Sequence, residues 1–213
     1  VACTAGLAAF GEAYPEEPKC GGGSGGGTTE GPEPTGGPEP TTGGPEPTGG
    51  PAATGISGYF LLAVSTTLDR NKPLQFLARN LVTEVDGEPR VSTCLQPLSL
   101  TQGSVLKPRQ PIGEPLCFAD LPIVENGFLL DTGVVKIAGG ANPITGADLV
   151  MSLIIVGAIE SDDFYCGTVA GEVMEPLSTS IERSTFAAVR LDDMNVLPDP
   201  VLIDCEGTSV TDQ

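Results

Sequence analysis

Leu149-Val150-Met151-Ser152-Leu153-Ile154-Ile155-Val156-Gly157-Ala158-Ile159-Glu160 sets the class of the fold. Its apolar residues repeat every second position, the period of an extended strand, and not every 3.6 residues as on a helix face. Leu149, Met151, Leu153, Ile155 and Ile159 fall on one side, with Gly157 between the last two. Val150, Ile154 and Val156 fall on the other. Two apolar faces imply a central strand, buried on both sides.

The same period runs outward in both directions. Strands are expected at 59–66, 75–85, 90–100, 116–123, 128–138, 149–160, 164–174 and 184–191, each rich in Val, Ile, Leu, Phe, Tyr or Thr. Turn chemistry separates them, most sharply Asp86-Gly87 and Asn126-Gly127, the dipeptides of two-residue hairpins. No stretch carries a capped 3.6-residue period; 181–190 is the nearest and reads better as a strand. Eight strands with short connections make an antiparallel, all-β, up-and-down meander. It closes either into an eight-stranded barrel or into a two-sheet β-sandwich. The barrel is the primary expectation, because closure removes exposed strand edges.

Before residue 57 the composition changes. Residues 21–55 hold 14 Gly and seven Pro, with near-copies of Gly-Pro-Glu-Pro-Thr starting at Gly31, Gly37 and Gly44. Such a segment has nothing apolar to bury and cannot offset the entropy of ordering, so 21–56 reads as a disordered linker. It would span roughly 30 Å as a coil and about 100 Å as polyproline II. Residues 1–20 read as an export or anchor segment. Val1-Ala2-Cys3 resembles the end of a lipobox, and Cys20-Gly-Gly-Gly-Ser24 resembles the start of a mature bacterial lipoprotein. Cys3 and Cys20 therefore compete as lipid anchor, against a Cys3–Cys20 disulfide or two free thiols. The organisation is thus anchor 1–20, linker 21–56, β-domain 57–192 and a Pro-punctuated tail 193–213.

Composition narrows the function. Net charge is −18; residues 1–56 carry seven acids against Lys19, leaving −12 for the rest. That charge repels nucleic acid and anionic membrane surfaces, so no nucleic-acid partner is expected. There is no His, which removes Ser-His-Asp and Cys-His catalysis and every His-containing zinc site. No apolar run is long enough for a spanning helix. Six Cys without a C-x-x-C pair suggest an oxidising compartment and allow 15 pairings. Cys94 and Cys117 both fall on the solvent side of adjacent expected strands, which favours that bridge. A Cys166–Cys205 bridge would pin the tail to the body.

Gly58-Tyr-Phe-Leu-Leu-Ala-Val64, Cys166-Gly-Thr-Val-Ala-Gly171 and Ser184-Thr-Phe-Ala-Ala-Val-Arg190 resemble a lipocalin-type (calycin) barrel. There the first strand opens on a Gly-aromatic pair and a late Arg packs across that end. The resemblance assigns those places to Gly58, Tyr59 and Arg190, with Tyr59 where the family usually carries Trp. Residues 58–205, including Ala141-Asn-Pro-Ile-Thr-Gly146, are also similar to uncharacterised lipoproteins of myxobacteria-type Gram-negative bacteria. That likeness implies an exported, lipid-anchored protein of the outer membrane or cell surface.

The remaining motifs carry little chemistry. Asp162-Asp163 and Asp192-Asp193 are paired acids in expected loops, suited in principle to Ca²⁺ or to glycan hydrolysis, but acids in turns are usually solvated. Glu172 and Glu175 are similar. The Gly139–Gly146 stretch lacks the Lys and helix of a phosphate loop. Lys72, Lys107 and Arg109 are isolated bases. The Pro-rich connection 102–115 is the best candidate for a functional loop. Ala63, Gly133, Gly157 and Gly171 would either leave space for an apolar ligand or relieve crowding. No cofactor, metal or catalytic residue is implied. The expectation is a non-catalytic envelope lipoprotein, touching the membrane only through its anchor and binding a surface partner or small apolar molecule. The alternatives are a carboxylate-based glycan hydrolase or a lipocalin-like carrier.

Overall fold

A computed structural model of the chain describes residues 55–212. The anchor segment with Cys3 and Cys20, and the linker up to residue 54, lie outside the described residues. The strands are β1 (Gly58–Thr66), β2 (Asp69–Val85), β3 (Glu88–Leu100), β4 (Pro108–Pro111), β5 (Leu116–Pro122), β6 (Gly127–Ile137), β7 (Leu149–Ser161), β8 (Phe164–Glu175), β9 (Thr179–Ser180), β10 (Ser184–Arg190), β11 (Val201–Leu202) and β12 (Ser209–Val210). A 3₁₀ turn, Gly139–Ala141, precedes β7. Every expected strand is present. The short additions β4, β9, β11 and β12 lie in segments expected to be loop or tail.

Local chemistry places the hairpins. Val85 pairs with Glu88, and Asp86 and Gly87 both have positive φ, 54° and 82°, the geometry of a type I′ turn. The second turn sits one residue earlier than its Asn-Gly dipeptide suggests. Val124 and Gly127 exchange two 2.8 Å backbone hydrogen bonds, and the left-handed positions are Glu125 and Asn126.

Two antiparallel meanders, β1-β2-β3-β5 and β6-β7-β8-β10, are joined by the β1·β10 ladder. Closing this sheet into the expected barrel requires β5 to pair with β6, and among the described residues that ladder is absent. The barrel expectation is corrected: the sheet is open at this seam, as in the two-sheet alternative. Both edges carry features that block pairing. β5 holds Asp120 in the left-handed region, φ 57°, and ends at Pro122, which has no N–H to donate. β6 breaks register between Asp131 and Val134, where Gly133 has φ 56°.

A second correction concerns burial. Leu149, Met151, Leu153 and Ile155 of β7 face the core, but Ile154 and Val156 are 46% and 50% exposed. Among the described residues nothing covers that face, a common state for an antiparallel sheet. Burial on both faces falls instead on β1, from Phe60 through Thr66, and beside it on residues 73–78 of β2 and 93–98 of β3. The inner residues of β1, Phe60, Leu62 and Val64, join the main core. Its outer residues Leu61 and Ala63 are also buried, together with Leu77, Leu98 and Ala187. Their cover is the 102–115 connection and the C-terminal tail, whose Val105, Val201, Ile203 and Val210 are buried in turn.

Two disulfides fasten this outer layer. Cys94–Cys117 joins directly paired residues of β3 and β5, with Cα atoms 4.0 Å apart. Cys166–Cys205 ties β8 to the tail at a Cα separation of 5.3 Å. Both expected bridges are present. The linker boundary shifts: Ile56 is wholly buried in the core, so the folded body includes the last residues assigned to the linker.

Candidate functional site

The two ends of the sheet are built differently. At the end holding the start of β1 and the end of β10, aromatic side chains fill the interior. Tyr165 packs edge-on against Phe60, Phe128 and Phe186 at centroid distances of 5.1, 5.9 and 6.1 Å. Burial pushes the Tyr165 phenol well above its ordinary value, so it stays protonated. Asn80 donates from Nδ2 to the Tyr165 hydroxyl at 3.1 Å. Asn80 Oδ1 and, opposite it on β3, Thr93 Oγ1 have no partner among the described residues. Both residues line a gap of about 20 Å³, room for one water.

Arg190 caps this end. It donates from Nε to Asp163 Oδ1 at 2.7 Å, from Nη1 to Ser57 O at 2.9 Å, and from Nη2 to the carbonyls of Gly55 and Asp162. Its guanidinium lies 4.7 Å from the centre of the Phe60 ring. Gly58 has φ 131°, and a Cβ there would stand 2.6 Å from Arg190 Nη1. The Gly and Arg singled out in the sequence therefore meet; the ring beneath the cation is Phe60, not Tyr59.

The opposite end is hollow. A pocket of about 300 Å³ opens there, with Leu74, Met151 and Val173 as its buried floor. Leu68 and Leu177, 48% and 74% exposed, line it nearer solvent. Asn142, Ile144 and Thr145 also contribute, and among the described residues no ionisable side chain does. The lining includes the buried Thr66, whose Oγ1 has no partner among the described residues. The 139–148 turn that supplies Asn142, Ile144 and Thr145 is tightly held. Asn142 donates from Nδ2 to Thr145 Oγ1 and Ala147 O, and its Oδ1 accepts from the Ile144 and Thr145 amides. Asp148 accepts from the Gly139 N–H at 2.7 Å and pairs with Lys136 at 3.1 Å. These contacts, the Gly139 bond foremost, hold its carboxyl below the ordinary range. The Gly139–Gly146 stretch is thus a pocket wall.

The other singled-out residues have structural work. Asp163 and the Asp162 carbonyl hold Arg190. Asp193 accepts from the Asn195 backbone and side-chain nitrogens, and Glu172 accepts from Ser178. Glu175 ends β8 and Asp192 lies in a bend after β10; both are exposed. These acids do not converge on any of the cavities described, and among the described residues no group of three Cys, Asp or Glu is placed to hold a metal. Gly157 and Gly171 relieve crowding: a Cβ would meet the Phe128 ring at 2.3 Å and Ser152 O at 2.1 Å. Ala63 faces the outer layer and Gly133 makes the β6 bulge, so none of the four opens the pocket.

The 102–115 connection is a cover, not a lid over the pocket. Gln75 donates to Val105 O at 2.7 Å, and Asp212 accepts from Val105 N and the Ser104 hydroxyl, clasping the connection to the tail. Lys72 pairs with Asp69 at the start of β2, and Lys107 stays exposed. Arg109 alone of the three bases is buried. The hollow end escapes sequence reading because Leu68, Pro176 and Leu177 are unremarkable turn residues until the sheet brings them together. Compared with known protein families, curated proteins and solved structures, the chain matches none.

Proposed function

We propose that this chain is a non-catalytic, exported binding module that holds a small, uncharged apolar molecule at the hollow end of its sheet. The observation that carries the reading is the 300 Å³ pocket floored by Leu74, Met151 and Val173. Burying apolar surface against such a lining yields about 25 cal/mol per Å². The lack of ionisable lining groups selects against charged ligands, since nothing there replaces lost hydration. The architecture is an antiparallel sheet open along one seam, with Arg190 across Gly58 at the sealed end. Two disulfides suit a chain folded in an oxidising compartment. Presentation at the envelope through Cys3 or Cys20 and the 21–56 linker completes the reading.

The test is titration with the uncharged fluorophore N-phenyl-1-naphthylamine. Saturable binding is expected, weakened at least tenfold in Val173→Phe, which fills the pocket, with near-UV circular dichroism unchanged. Binding that does not saturate, or that Val173→Phe leaves intact, would overturn the pocket assignment. Mass spectrometry of protein from its own host tests the lipid; an unmodified Cys3 and Cys20 would remove the anchor.

A further inference from the structure

Arg109 sits in β4 on the outer face of the sheet, far in character from the apolar pocket. It is 9% exposed. Nε donates to Val105 O at 3.3 Å and Nη1 to Pro198 O at 2.8 Å. Nη2 has no partner among the described residues and almost no contact with solvent. Asp199 and Asp212 lie near enough to offset the charge, yet each is bonded elsewhere, Asp199 to Thr211 and Asp212 to Ser104 and Val105. A guanidinium taken out of water with both Nη2 N–H groups unpaired carries a desolvation penalty that the two nearby carboxylates offset only in part.

Beside it lies a cleft of about 280 Å³ between the 102–115 connection and the tail. Its floor is the buried Leu77 and Leu98, and its rim is Gln110, Met194 and Asn195, all exposed. Arg109 lines the cleft, and no carboxylate does. An apolar floor, one buried cation with spare donors and two amides at the rim match a molecule with a short apolar body and one carboxylate. Met194, unbranched and 43% exposed, can yield to admit it.

We propose that this cleft is a second binding site, for a small apolar monocarboxylate whose oxygens accept from Arg109. The body carries net charge −12, which disfavours polyanions, but charges more than about 10 Å from the cleft are largely screened at ordinary ionic strength. A single carboxylate therefore gains the short-range bonds without a large repulsive cost.

The test uses ¹⁵N-labelled full-length chain and two probes of one shape, benzoate and benzyl alcohol. Benzoate is expected to shift the Arg109 Nε–H and the amides of Gln110 and Asn195 saturably, binding at least tenfold tighter than the alcohol. Arg109→Gln should erase that preference. Because Arg109 also holds Pro198, a second variant, Met194→Trp, fills the cleft while leaving those bonds intact. It should weaken benzoate at least tenfold with the melting temperature unchanged. Val173→Phe, at the other pocket, should leave benzoate binding as it is, so the two sites stand or fall separately. Equal affinity for acid and alcohol, or benzoate shifts confined to the Leu177 end, or none that saturate, would overturn the proposal; a guanidinium satisfied by water alone gives the last of these.

Discussion

The aromatic end and the hollow end of one sheet use the same strands for opposite purposes. β1, β7, β8 and β10 run toward both. At one end they bring Phe60, Tyr165 and Phe186 into edge-on contact beneath Arg190; at the other, Val173 and Met151 face a cavity. Side chains of both ends belong to one core cluster, so the difference is one of filling and not of polarity. Interiors pack to near-crystalline density where nothing else is asked of them. A void of 300 Å³ at only one end concentrates stability where the aromatics are and leaves the other free to bind.

The largest expected effect breaks this symmetry directly. Phe60→Ala or Phe186→Ala should cost about 3–5 kcal/mol, because each leaves a sealed void in addition to the lost transfer energy. Leu74→Ala should cost about 2 kcal/mol, the low end of its class, since it enlarges a pocket that already opens to solvent. Urea denaturation with a common m-value measures both. Equal costs at the two ends would mean that the hollow end is packed in solution.

Arg190→Lys comes next. Lys keeps the charge but cannot reach Ser57, Gly55, Asp162 and Asp163 at once as the planar fork does. The expected loss is about 1–3 kcal/mol, from carbonyl oxygens left without donors. Affinity for the naphthylamine probe should not change, because Arg190 is absent from the lining of the hollow pocket. A matching fall in affinity would show that the two ends are coupled.

How much of this could be read in advance follows from which interactions are local. Period-2 patterning placed all the long strands, and Asp86-Gly87 fixed its turn, because both depend on neighbours in sequence. Cys94 and Cys117 were legible as a pair because strand faces alternate. Closure was not, since it turns on whether β5 meets β6, and Pro122 and Asp120 oppose that at an edge only the folded sheet defines. The double burial expected of β7 belongs to β1 and to the adjoining parts of β2 and β3. The β7 and β1 runs are both apolar on two faces, and the cover over β1 is a Pro-rich tail whose docking no period reveals. Arg109 looked like an isolated loop base for the same reason: its burial depends on Val105, Pro198 and Asp212, up to 103 residues away in sequence.

The smallest expected effect separates the ends by pH. Asp148 ties the 139–148 turn to Gly139 and Lys136, and that turn forms one wall of the hollow pocket. Its folded pKa is depressed, first by the Gly139 N–H and then by Lys136. The contribution is therefore fully present above the ordinary carboxylate value of 3.8 and is lost as pH falls through the lower folded value. Asp148 is largely exposed, so solvent screening keeps the effect modest. The phenylalanines of the sealed end do not titrate, and burial keeps Tyr165 protonated throughout. Lowering pH from 6 to 3 should thus weaken probe binding before the near-UV circular dichroism of the aromatic cluster changes. Asp148→Asn, which keeps an acceptor for Gly139 but loses the charge facing Lys136, should bind more weakly at pH 6 and respond less to acid. Simultaneous loss of probe and aromatic signal in both proteins would mean that acid unfolds the sheet as a whole and that the pocket wall has no separate stability.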